Sequence, residues 1–286
     1  MSAAAALVPG EYAFTTRDFD RIAAMLRADA GIALTDGKAA LVYSRLAKRL
    51  RNLGLSDFTS YCALLEGDPT GAERREMLAS LTTNVTRFLR EPHHFEQIGR
   101  DVLPPLIEAA RGGGRVRLWS AGCSTGEEAY TLALSVLEAM PDAAGHDLRI
   151  LATDIDPVVL ATAREATYPE AALAPVAPQL RARFFEPAGP GLLRAGAALR
   201  DLVAFREMNL NASSWPMRQR YAAILCRNVA IYFDEPTQTR LWARFAEVAA
   251  PGAWLFIGHS ERIAGPAASR WRSAGLTSYR LNGGAT

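Results

Sequence analysis

Residues 115–128 read RVRLWSAGCSTGEE, in which arginines and apolar residues first alternate and are followed by small residues and then by two glutamates. The run at 115–120 has the pattern of a buried strand, and the sequence from Glu127 onward has the pattern of a helix. Small residues at a strand-to-helix turn let a ligand approach the backbone, and open α/β sheets bind ligands at the carboxyl ends of their strands. The turn therefore predicts a ligand site, although a tight turn that binds nothing would contain similar residues.

A second predicted strand, at residues 148–153, ends in the acidic sequence TDID at 153–156. A carboxylate at this point, such as that of Asp154, can accept hydrogen bonds from both hydroxyls of a ribose. Asp156 precedes a proline, so capping of the next helix is the alternative for that residue. Turn and acid together indicate a nucleoside ligand. Glu127 and Glu128 would repel a diphosphate, which favours S-adenosylmethionine over NAD as that ligand.

The C-terminal two thirds of the chain continue this alternation. Further strands are predicted at 222–226, 254–258 and 276–281, and helices at 127–140, 157–167 and 236–249. Strands that alternate with helices of about 10–15 residues indicate a mostly parallel, doubly wound α/β sheet. Repeated prolines and glycines interrupt the pattern at 168–206, so we interpret that stretch as an insertion with a small structure of its own.

The N-terminal part of the chain has a helical pattern throughout. Apolar residues recur at helical spacing in four segments, which end near Gly31, Gly54, Gly67 and residue 81. Four short helices joined by tight turns are typical of a small bundle. We therefore predict a helical domain at residues 1–81, a linker at 82–100 that contributes to the ligand site, and a larger domain at 101–286 that includes the insertion.

The composition excludes several classes of protein. The 286 residues carry 32 Lys and Arg against 30 Asp and Glu, a net charge of +2, which argues against a protein that coats nucleic acid. Three cysteines without a C-x-x-C pair indicate neither a disulfide scaffold nor a zinc site, and they suit the reducing cytosol. Apolar runs are too short to span a bilayer. We expect a cytoplasmic protein that does not insert into membranes.

Histidines are few and do not form a metal-binding pattern. His93, His94 and His259 lack cysteines or carboxylates at the spacing of a ligand set, so the sequence predicts no metal site.

Five segments, in this order along the chain, carry a family resemblance. They read SLTTNVTRFLRE at 80–91, WSAGCSTGEE at 119–128, TDID at 153–156, CRNVAIYF at 226–233 and GHSE at 258–261. Together they resemble the motifs of the chemotaxis receptor methyltransferases, the CheR family, whose members transfer methyl groups from S-adenosylmethionine to receptor glutamates. The resemblance implies a Rossmann-like S-adenosylmethionine methyltransferase domain with a small antiparallel β insertion, preceded by a small all-α helical domain.

The resemblance also implies roles for individual residues. Arg90 and Tyr232 would lie nearest the transferring methyl group, as the catalytic residues. An ion pair of Arg90 with Glu91 and core packing of Tyr232 are the structural alternatives. The implied cofactor-binding residues are Asn84, Thr86, Arg90, Glu128, Asp154, Asn209, Leu210, Arg227 and Asn228.

The chemistry of such a transfer explains why so few conventional catalytic groups are present. A glutamate side chain, with a reference pKa of about 4.3, is already ionised at neutral pH, so no general base is needed. What remains is to align the carboxylate with the methyl group and to remove its water. We therefore expect Arg90 and Tyr232 to act by positioning.

The second predicted helix carries the basic residues of a possible docking surface. No acidic residue follows Asp36 in this helix, and one polar side collects the cations Lys38, Arg45, Lys48, Arg49 and Arg51. A solvated helix face is one interpretation. The other, which the resemblance supports, is a docking surface for a glutamate-rich helical receptor, whose attraction would weaken with salt.

The expected partner is the cytoplasmic helical region of chemoreceptors, with the enzyme acting as a monomer and binding no nucleic acid. The insertion resembles a β-subdomain that grips a receptor tail peptide in some family members. The turn of the insertion, FEPAGPGLL at 185–193, is shorter than in the peptide-binding members and lacks their Arg-Gly-x-Gly-like loop. We therefore expect this protein to act without binding a receptor tail peptide.

Two alternative functions remain: a methyltransferase for another acceptor, and a non-catalytic module that binds receptor or cofactor.

Overall fold

The computed structural model describes residues 7–283. The chain divides into two compact units. Met1–Thr83 and Tyr232–Asp234 form the helical unit, and Asn84–Ile231 and Glu235–Thr286 form the sheet unit. The predicted linker at 82–100 is divided by this grouping, because residues 84–100 belong to the sheet unit.

The described part of the helical unit contains the α-helices α1 (Thr16–Ala30), α2 (Ala39–Leu53), α3 (Phe58–Gly67) and α4 (Ala72–Leu81). Thr15 and Asp18 form a capping box at the start of α1, with reciprocal backbone bonds of 3.0 and 3.2 Å. Gly31 and Gly54 end α1 and α2 in the left-handed conformation, at φ 74° and 66°. The four predicted helices are confirmed, each with small shifts at its ends.

Aromatic and aliphatic side chains from the four helices and from the segment before α1 form the core of the helical unit. Fully buried members are Phe14, Ile22, Leu26, Leu46, Phe58 and Tyr61. The rings of Phe14 and Phe58 lie 4.3 Å apart between centroids. This apolar burial stabilises the bundle, since each large side chain contributes about 1.5–3 kcal/mol.

A short segment from late in the chain belongs to the helical unit. The N–H of Ala33 donates to the carbonyl oxygen of Tyr232 at 2.8 Å, and Ile32 pairs with Phe233 as an antiparallel bridge. Arg27 pairs with Asp234 at 2.6 Å. These contacts explain why the predicted catalytic Tyr232 groups with the helices.

The sheet unit begins with helices and continues as alternating strands and helices. Its helices are α5 (Pro92–Gln97), α6 (Leu103–Arg111), α7 (Glu127–Ala139), α8 (Pro157–Glu165), α9 (Pro178–Phe184), α10 (Ala197–Leu202) and α11 (Glu235–Val248). Its strands are β1 (Val116–Ala121), β2 (Leu148–Asp154), β3 (Thr167–Pro169), β4 (Phe185–Pro187), β5 (Leu192–Ala195), β6 (Val203–Glu207), β7 (Tyr221–Cys226), β8 (Ala249–Ile257), β9 (Trp271–Gly275) and β10 (Ser278–Leu281). A π-helical turn at Ile98–Val102 joins α5 to α6.

The main sheet has the strand order β6-β2-β1-β7-β8-β10-β9. The first five strands of that order are parallel, and β10 and β9 are antiparallel. The ends of β1 and β2 are in register, with Ala121 opposite Thr153, and Asp154 at the end of β2 is opposite Glu207. The turns after β1, β2, β6 and β7 therefore meet at one edge, and the predicted α/β class is confirmed.

The insertion forms a three-stranded antiparallel sheet in the order β3-β5-β4. It is shorter than predicted, because residues 203–206 lie in β6 and pair with β2 in the main sheet. The sequence at 203–207, VAFRE, has strand alternation, but the prolines and glycines before it hid this signal. The sequence also did not predict β9, an edge strand held by pairing with β10.

No helix in residues 7–283 is both long enough and apolar enough to cross a bilayer.

Candidate active site

The turn after β1 needs its glycines. Gly122 adopts φ +85°, and a Cβ there would lie 2.4 Å from Val229 Cγ2. Gly126 adopts φ +97°, and a Cβ there would lie 2.9 Å from the Tyr168 hydroxyl. Ser124 takes a left-handed conformation at φ 49° although it has a side chain. The small residues in the predicted turn therefore serve close packing and a defined backbone shape.

Asp154 lies at the end of β2, and backbone donors hold its carboxylate. The N–H of Ser124 donates to Oδ2 at 2.8 Å, and the N–H of Asp156 donates to Oδ1 at 3.1 Å. Burial raises the pKa of Asp154, and the nearby Asp156 carboxylate raises it further. Asp156 itself caps α8 by accepting from the N–H of Val158 at 2.8 Å, which confirms the capping interpretation.

Asn84 joins the segment before α5 to both of these turns. Its side-chain Nδ2 donates to Asp156 Oδ2 at 2.9 Å, and its carbonyl oxygen accepts from the Ser124 hydroxyl at 2.8 Å. Thr86, two residues later, is half-buried, and Val85 between them is 77% exposed. The predicted cofactor-binding segment is thus anchored next to the predicted ribose acid.

Arg90 lies in a backbone turn of unusual conformation. Its neighbours Leu89 and Glu91 both have positive φ angles, 53° and 55°, which residues with a side chain rarely adopt. The Arg90 side chain donates from Nη1 to the carbonyl oxygen of Val85 at 3.0 Å, which closes the loop on itself. The carbonyl group of Arg90 in turn accepts from Arg227.

A buried ionic network connects Arg90 to the first turn of α7. Arg227, whose side chain is 1% exposed, donates from Nη1 to Glu128 Oε2 at 3.1 Å. Ser120, on β1, donates to the other oxygen, Glu128 Oε1, at 2.6 Å. Burial raises the pKa of Glu128, although the Arg227 charge opposes this effect. The network orients a carboxylate at the place where the resemblance implies binding of the cofactor's amino group.

Glu91 contacts Arg227 and His259 rather than Arg90. Its Oε2 lies 3.4 Å from Arg227 Nη2, and its Oε1 lies 3.0 Å from His259 Nδ1. Burial alone would raise the pKa of Glu91, but the His259 hydrogen bond and the Arg227 charge lower it to about 2. In the described chain, Glu91 is therefore a partner of Arg227 and His259.

The loop after β7 contains Asn228, whose side-chain oxygen is an acceptor without a hydrogen-bond partner among the described residues. Asn228 has φ 61°, and its Oδ1 is buried. A buried amide oxygen without a partner is costly unless a ligand supplies a donor. S-adenosylmethionine carries such donors, on its adenine, ribose and ammonium groups, so the residues fit this cofactor.

The loop after β6, which contains Asn209 and Leu210, joins the same edge. The N–H of Met208 donates to the carbonyl oxygen of Asp154 at 2.8 Å. Arg244 on α11 donates to the carbonyl oxygens of Leu210 at 3.2 Å and Ala212 at 2.5 Å. The sequence analysis did not identify Arg244, because only the tertiary fold brings α11 to this loop.

Arg244 also stacks on an aromatic ring of the same loop. Its guanidinium carbon lies 3.9 Å from the ring centroid of Trp215, a cation–π distance. Trp215 packs edge-on against Trp119 on β1, with centroids 5.2 Å apart. The loop that carries Asn209 is therefore held from both α11 and the sheet.

The basic residues of α2 differ in their partners within the helical unit. Arg45 donates to the carbonyl oxygens of Leu81 at 2.9 Å and Thr82 at 2.7 Å, at the end of α4. Arg49 pairs with Glu73 and, at 3.2 Å, with Glu76.

The other three predicted docking residues are exposed. Arg51 reaches Glu11 at 2.6 Å. Lys38 and Lys48 form no ion pair with any residue in the described range. Only part of the predicted basic surface is therefore free of acidic neighbours.

Glu91, His93 and His94 have possible metal-ligand atoms within 4.8 Å of one another. His94 Nε2 lies 2.9 Å from Thr277 Oγ1 and 3.1 Å from the carbonyl oxygen of Leu276. The Glu91 carboxylate already faces the guanidinium of Arg227 at 3.4 Å. We infer no metal site from this cluster, and the sequence-based expectation of none stays a prediction.

Comparison with known families agrees with this geometry. Residues 84–279 match the family model described as "CheR methyltransferase, SAM binding domain", in which SAM is S-adenosylmethionine. Residues 17–82 match "CheR methyltransferase, all-alpha domain".

Curated relatives match nearly the whole chain. A probable chemotaxis protein methyltransferase of Rhizobium etli is 50% identical over 90% of this chain and 96% of its own length. The chemotaxis protein methyltransferases of Klebsiella aerogenes and Escherichia coli are 42% and 39% identical, over 86% and 94% of this chain and 83% and 92% of their own lengths. The chain therefore belongs to the CheR family of S-adenosylmethionine-dependent chemotaxis methyltransferases.

Proposed function

We propose that this protein transfers a methyl group from S-adenosylmethionine to glutamate side chains in the cytoplasmic helical region of chemoreceptors. The product would be a methyl ester, which removes one negative charge from the receptor helix. The observation that best supports the proposal is the buried connection from Ser120 through Glu128 and Arg227 to Arg90. It joins a carboxylate suited to a cofactor ammonium with the backbone of the predicted catalytic residue.

The cofactor-binding assignments follow from charge and hydrogen-bonding capacity. We assign the ammonium to Glu128, because Arg227 and Ser120 fix its carboxylate in one orientation. We assign the ribose hydroxyls to Asp154, the acid at the end of β2. Asn228 Oδ1 is the acceptor left for a cofactor N–H or O–H donor.

The remaining assignments rest on their place along the same edge of the sheet. Asn209 and Leu210 lie in the loop that Arg244 holds, and we assign them to the adenine. Asn84 and Thr86 lie in the segment anchored to Ser124 and Asp156, and we assign them to the methionine end of the cofactor.

The bound cofactor supplies an electrophilic methyl group on its sulfonium. The protein's task is to orient the acceptor carboxylate and to exclude water, because an ionised glutamate needs no base. Arg90 and Tyr232 keep the positioning roles implied by the resemblance. A strong hydrogen bond from either residue would lower the nucleophilicity of the acceptor, so we expect them to orient it with weak contacts.

We propose a docking surface with fewer basic residues than the sequence suggested. Arg45 binds carbonyl groups at the end of α4 and Arg49 binds acids of α4, so both also stabilise the helical unit. Lys38, Lys48 and Arg51 are exposed, and we assign the electrostatic attraction of an acidic receptor helix mainly to them.

We propose that the insertion does not bind a receptor tail peptide. The turn between β4 and β5 closes tightly, with the N–H of Ala188 donating to the carbonyl oxygen of Leu192 at 2.9 Å. Gly189 and Gly191 both have positive φ angles in this turn, 129° and 67°. Titration with a peptide of the receptor C-terminus should show no binding at micromolar concentration, and tight binding would contradict the proposal.

We also propose that the protein acts in the cytosol and as a monomer. The cysteines Cys62, Cys123 and Cys226 are free and buried, which suits a reducing compartment.

The test of the proposed function is to identify the acceptor residue. The protein is incubated with labelled S-adenosylmethionine and receptor-containing membranes, and the labelled receptor peptides are then mapped. Label on glutamates of the receptor's cytoplasmic helices is the expected result. Label on another macromolecule or on a small molecule would favour a different acceptor, and cofactor binding without any transfer would favour a non-catalytic module.

A further inference from the structure

The motif GHSE at residues 258–261 contains an acid whose role neither the sequence analysis nor the proposed mechanism explains. Glu261 is 4% exposed and lies just beyond the end of β8. We propose that Glu261 is a positioning residue, which fixes the loop carrying Arg227 and Asn228 in the conformation that binds the cofactor.

The Glu261 carboxylate accepts four backbone hydrogen bonds. Oε2 accepts from the N–H of Asn228 at 3.0 Å and of Gly258 at 2.5 Å. Oε1 accepts from the N–H of Val229 at 2.9 Å and of Ile231 at 3.2 Å. Three of these donors belong to the loop after β7, so one side chain determines the direction of most of its peptide groups.

Parallel pairing explains how this acid reaches the loop. β7 and β8 are neighbours, with Cys226 opposite Ile257, so the loops that follow them leave the sheet side by side. The N–H of Glu261 donates to the carbonyl oxygen of Gly258 at 2.9 Å. This tight turn directs the Glu261 side chain back toward the loop after β7.

The loop that Glu261 holds has a conformation that it would not keep easily by itself. Asn228 has φ 61°, a left-handed conformation that few residues with a side chain adopt, although asparagine does so more readily than most. Converging N–H groups form a concave anion site, and a buried carboxylate in it makes strong, charge-assisted bonds. Without the carboxylate, these N–H groups would lose their shared acceptor, and the loop would relax to another conformation.

Gly258 fixes the side chain of Asn228 from the other direction. A Cβ at Gly258 would lie 2.5 Å from Asn228 Nδ2 and 2.8 Å from its backbone nitrogen. The amide nitrogen therefore packs against the bare Cα of Gly258, while the amide oxygen stays without a partner. The first and last residues of the motif together orient Asn228, whose buried Oδ1 has no partner among the described residues.

The inference rests on the proposed assignment of Asn228 to the cofactor site. It predicts that Glu261 affects cofactor binding without touching the cofactor. The variant Glu261→Gln keeps the size of the side chain but replaces one acceptor oxygen by an NH2 group. That NH2 group would face N–H donors of the loop, so at least two of the four hydrogen bonds would be lost.

The experiment measures the Kd of S-adenosylhomocysteine by calorimetry, together with kcat, KM and thermal stability. Glu261→Gln should raise that Kd, and the KM for S-adenosylmethionine, by about tenfold or more. Glu261→Asp keeps the charge but is shorter, and it should recover part of the affinity.

The matched control is Asp18→Asn, in the helical unit. Asp18 is also a buried acid, 1% exposed, and it accepts from the Thr15 N–H at 3.0 Å and the Thr59 hydroxyl at 2.8 Å. The Asp18→Asn variant should be less thermally stable than the unaltered protein but should bind S-adenosylhomocysteine with the same Kd. A general loss of stability would give both variants the same result, so the two explanations are separated.

A second pair of variants keeps the test informative if Glu261→Gln does not fold. Gly258→Ala leaves Glu261 intact and displaces the Asn228 amide, and it should also weaken S-adenosylhomocysteine binding. Unchanged affinity in Gly258→Ala or in a folded Glu261→Gln would overturn the positioning role. Asn228→Ala tests the underlying assignment: unchanged affinity there would instead refute the proposed place of Asn228 in the cofactor site.

Discussion

Arg227 Nη1 lies 3.1 Å from Glu128 Oε2, and the two side chains are 1% and 10% exposed. The pair joins the loop after β7 to the first turn of α7, at the edge where the loops of the parallel strands meet. An acid at a helix start is also favoured by the helix dipole. This ion pair is the central polar contact of the candidate site, because Arg227 also binds the backbone of Arg90.

Removal of the Arg227 charge should leave Glu128 as an unpaired buried acid. Breaking one partner of a buried ion pair costs about 3–5 kcal/mol, so we expect Arg227→Met to lower the thermal stability clearly. The variant should also bind S-adenosylhomocysteine at least about tenfold more weakly, since a neutral Glu128 attracts an ammonium poorly. Calorimetry and thermal unfolding measure both effects. Arg227→Lys keeps the charge, so its affinity for S-adenosylhomocysteine should lie between those of the unaltered protein and Arg227→Met. Equal affinity in all three proteins would contradict a role of the Arg227–Glu128 pair in cofactor binding.

Arg244 should influence cofactor binding from outside the site. Arg244→Met removes the hydrogen bonds to the carbonyl groups of Leu210 and Ala212 and also the guanidinium that stacks on Trp215. We expect a several-fold increase in the Kd of S-adenosylhomocysteine, because each lost bond of this kind is worth about 1.5–3 kcal/mol before the loop relaxes.

The control for Arg244 lies on the same helix. Arg240 donates to Thr237 at 2.8 Å, also on α11. Arg240→Met should leave the cofactor Kd unchanged. An equal effect of the two substitutions would show that α11 as a whole, rather than the loop contact, is responsible.

The sequence predicted the strand ends well and the long-range partners poorly. The small residues before Glu127 and the acids after residue 153 are local signals, and the structure brings both turns to one edge. The partners of Arg45 and Arg49 come from α4, at least 24 residues away, and no periodicity within α2 reveals them. The sequence places residues 203–206 in the insertion because composition characterises a whole stretch of chain, whereas the pairing of these residues with β2 depends on the tertiary fold.

The candidate site residues show the same difference between local sequence signals and long-range contacts. The resemblance implies Arg227 and Asn228 as site residues by their position in the motif, whereas the contacts of Glu261 in GHSE are visible only in three dimensions. Glu261 serves backbone N–H groups, which every residue except proline has, so no sequence pattern marks its partners.

The docking proposal predicts different results for the cations on α2 and at Lys38, just before it. Reversing the charge of both Lys38 and Lys48 to Glu should raise the KM for receptor-containing membranes and reduce its dependence on salt, while stability stays unchanged. Arg45→Glu should instead destabilise the protein, because its guanidinium binds the carbonyl groups at the end of α4. Receptor methylation rates measured across a range of ionic strength, together with thermal unfolding, distinguish a loss of docking from a loss of stability. Unchanged receptor kinetics in the double lysine variant would refute docking through these residues.

His94 should make folding stability sensitive to mild acid. Burial, together with the Arg227 charge, lowers the pKa of His94 from 6.5 to about 4. The unfolded chain therefore binds a proton below about pH 6.5 that the folded chain refuses until about pH 4, so stability should fall as the pH decreases through that window.

Thermal unfolding at closely spaced pH values measures this effect. His94→Gln should show a smaller loss of stability between those pH values. A pH slope in His94→Gln equal to that of the unaltered protein would exclude His94 as its source.

Tyr232→Phe should separate chemistry from cofactor binding. The substitution removes only the hydroxyl group, so the Kd of S-adenosylhomocysteine should stay nearly unchanged while the methyl-transfer rate falls by about tenfold or more. Single-turnover kinetics with saturating cofactor measures the transfer rate directly. An unchanged rate would remove Tyr232 from the mechanism and favour its interpretation as a packing residue.

The most direct test of the account as a whole is the chemical stability of the transferred methyl group. Receptor-containing membranes labelled by this protein with S-adenosylmethionine are treated with mild base, and released methanol is counted. Methyl esters of glutamate hydrolyse under these conditions, so the account predicts that the label leaves as methanol. Label that stays on the receptor in base would indicate methylation of an amine or a ring and would contradict carboxylate transfer.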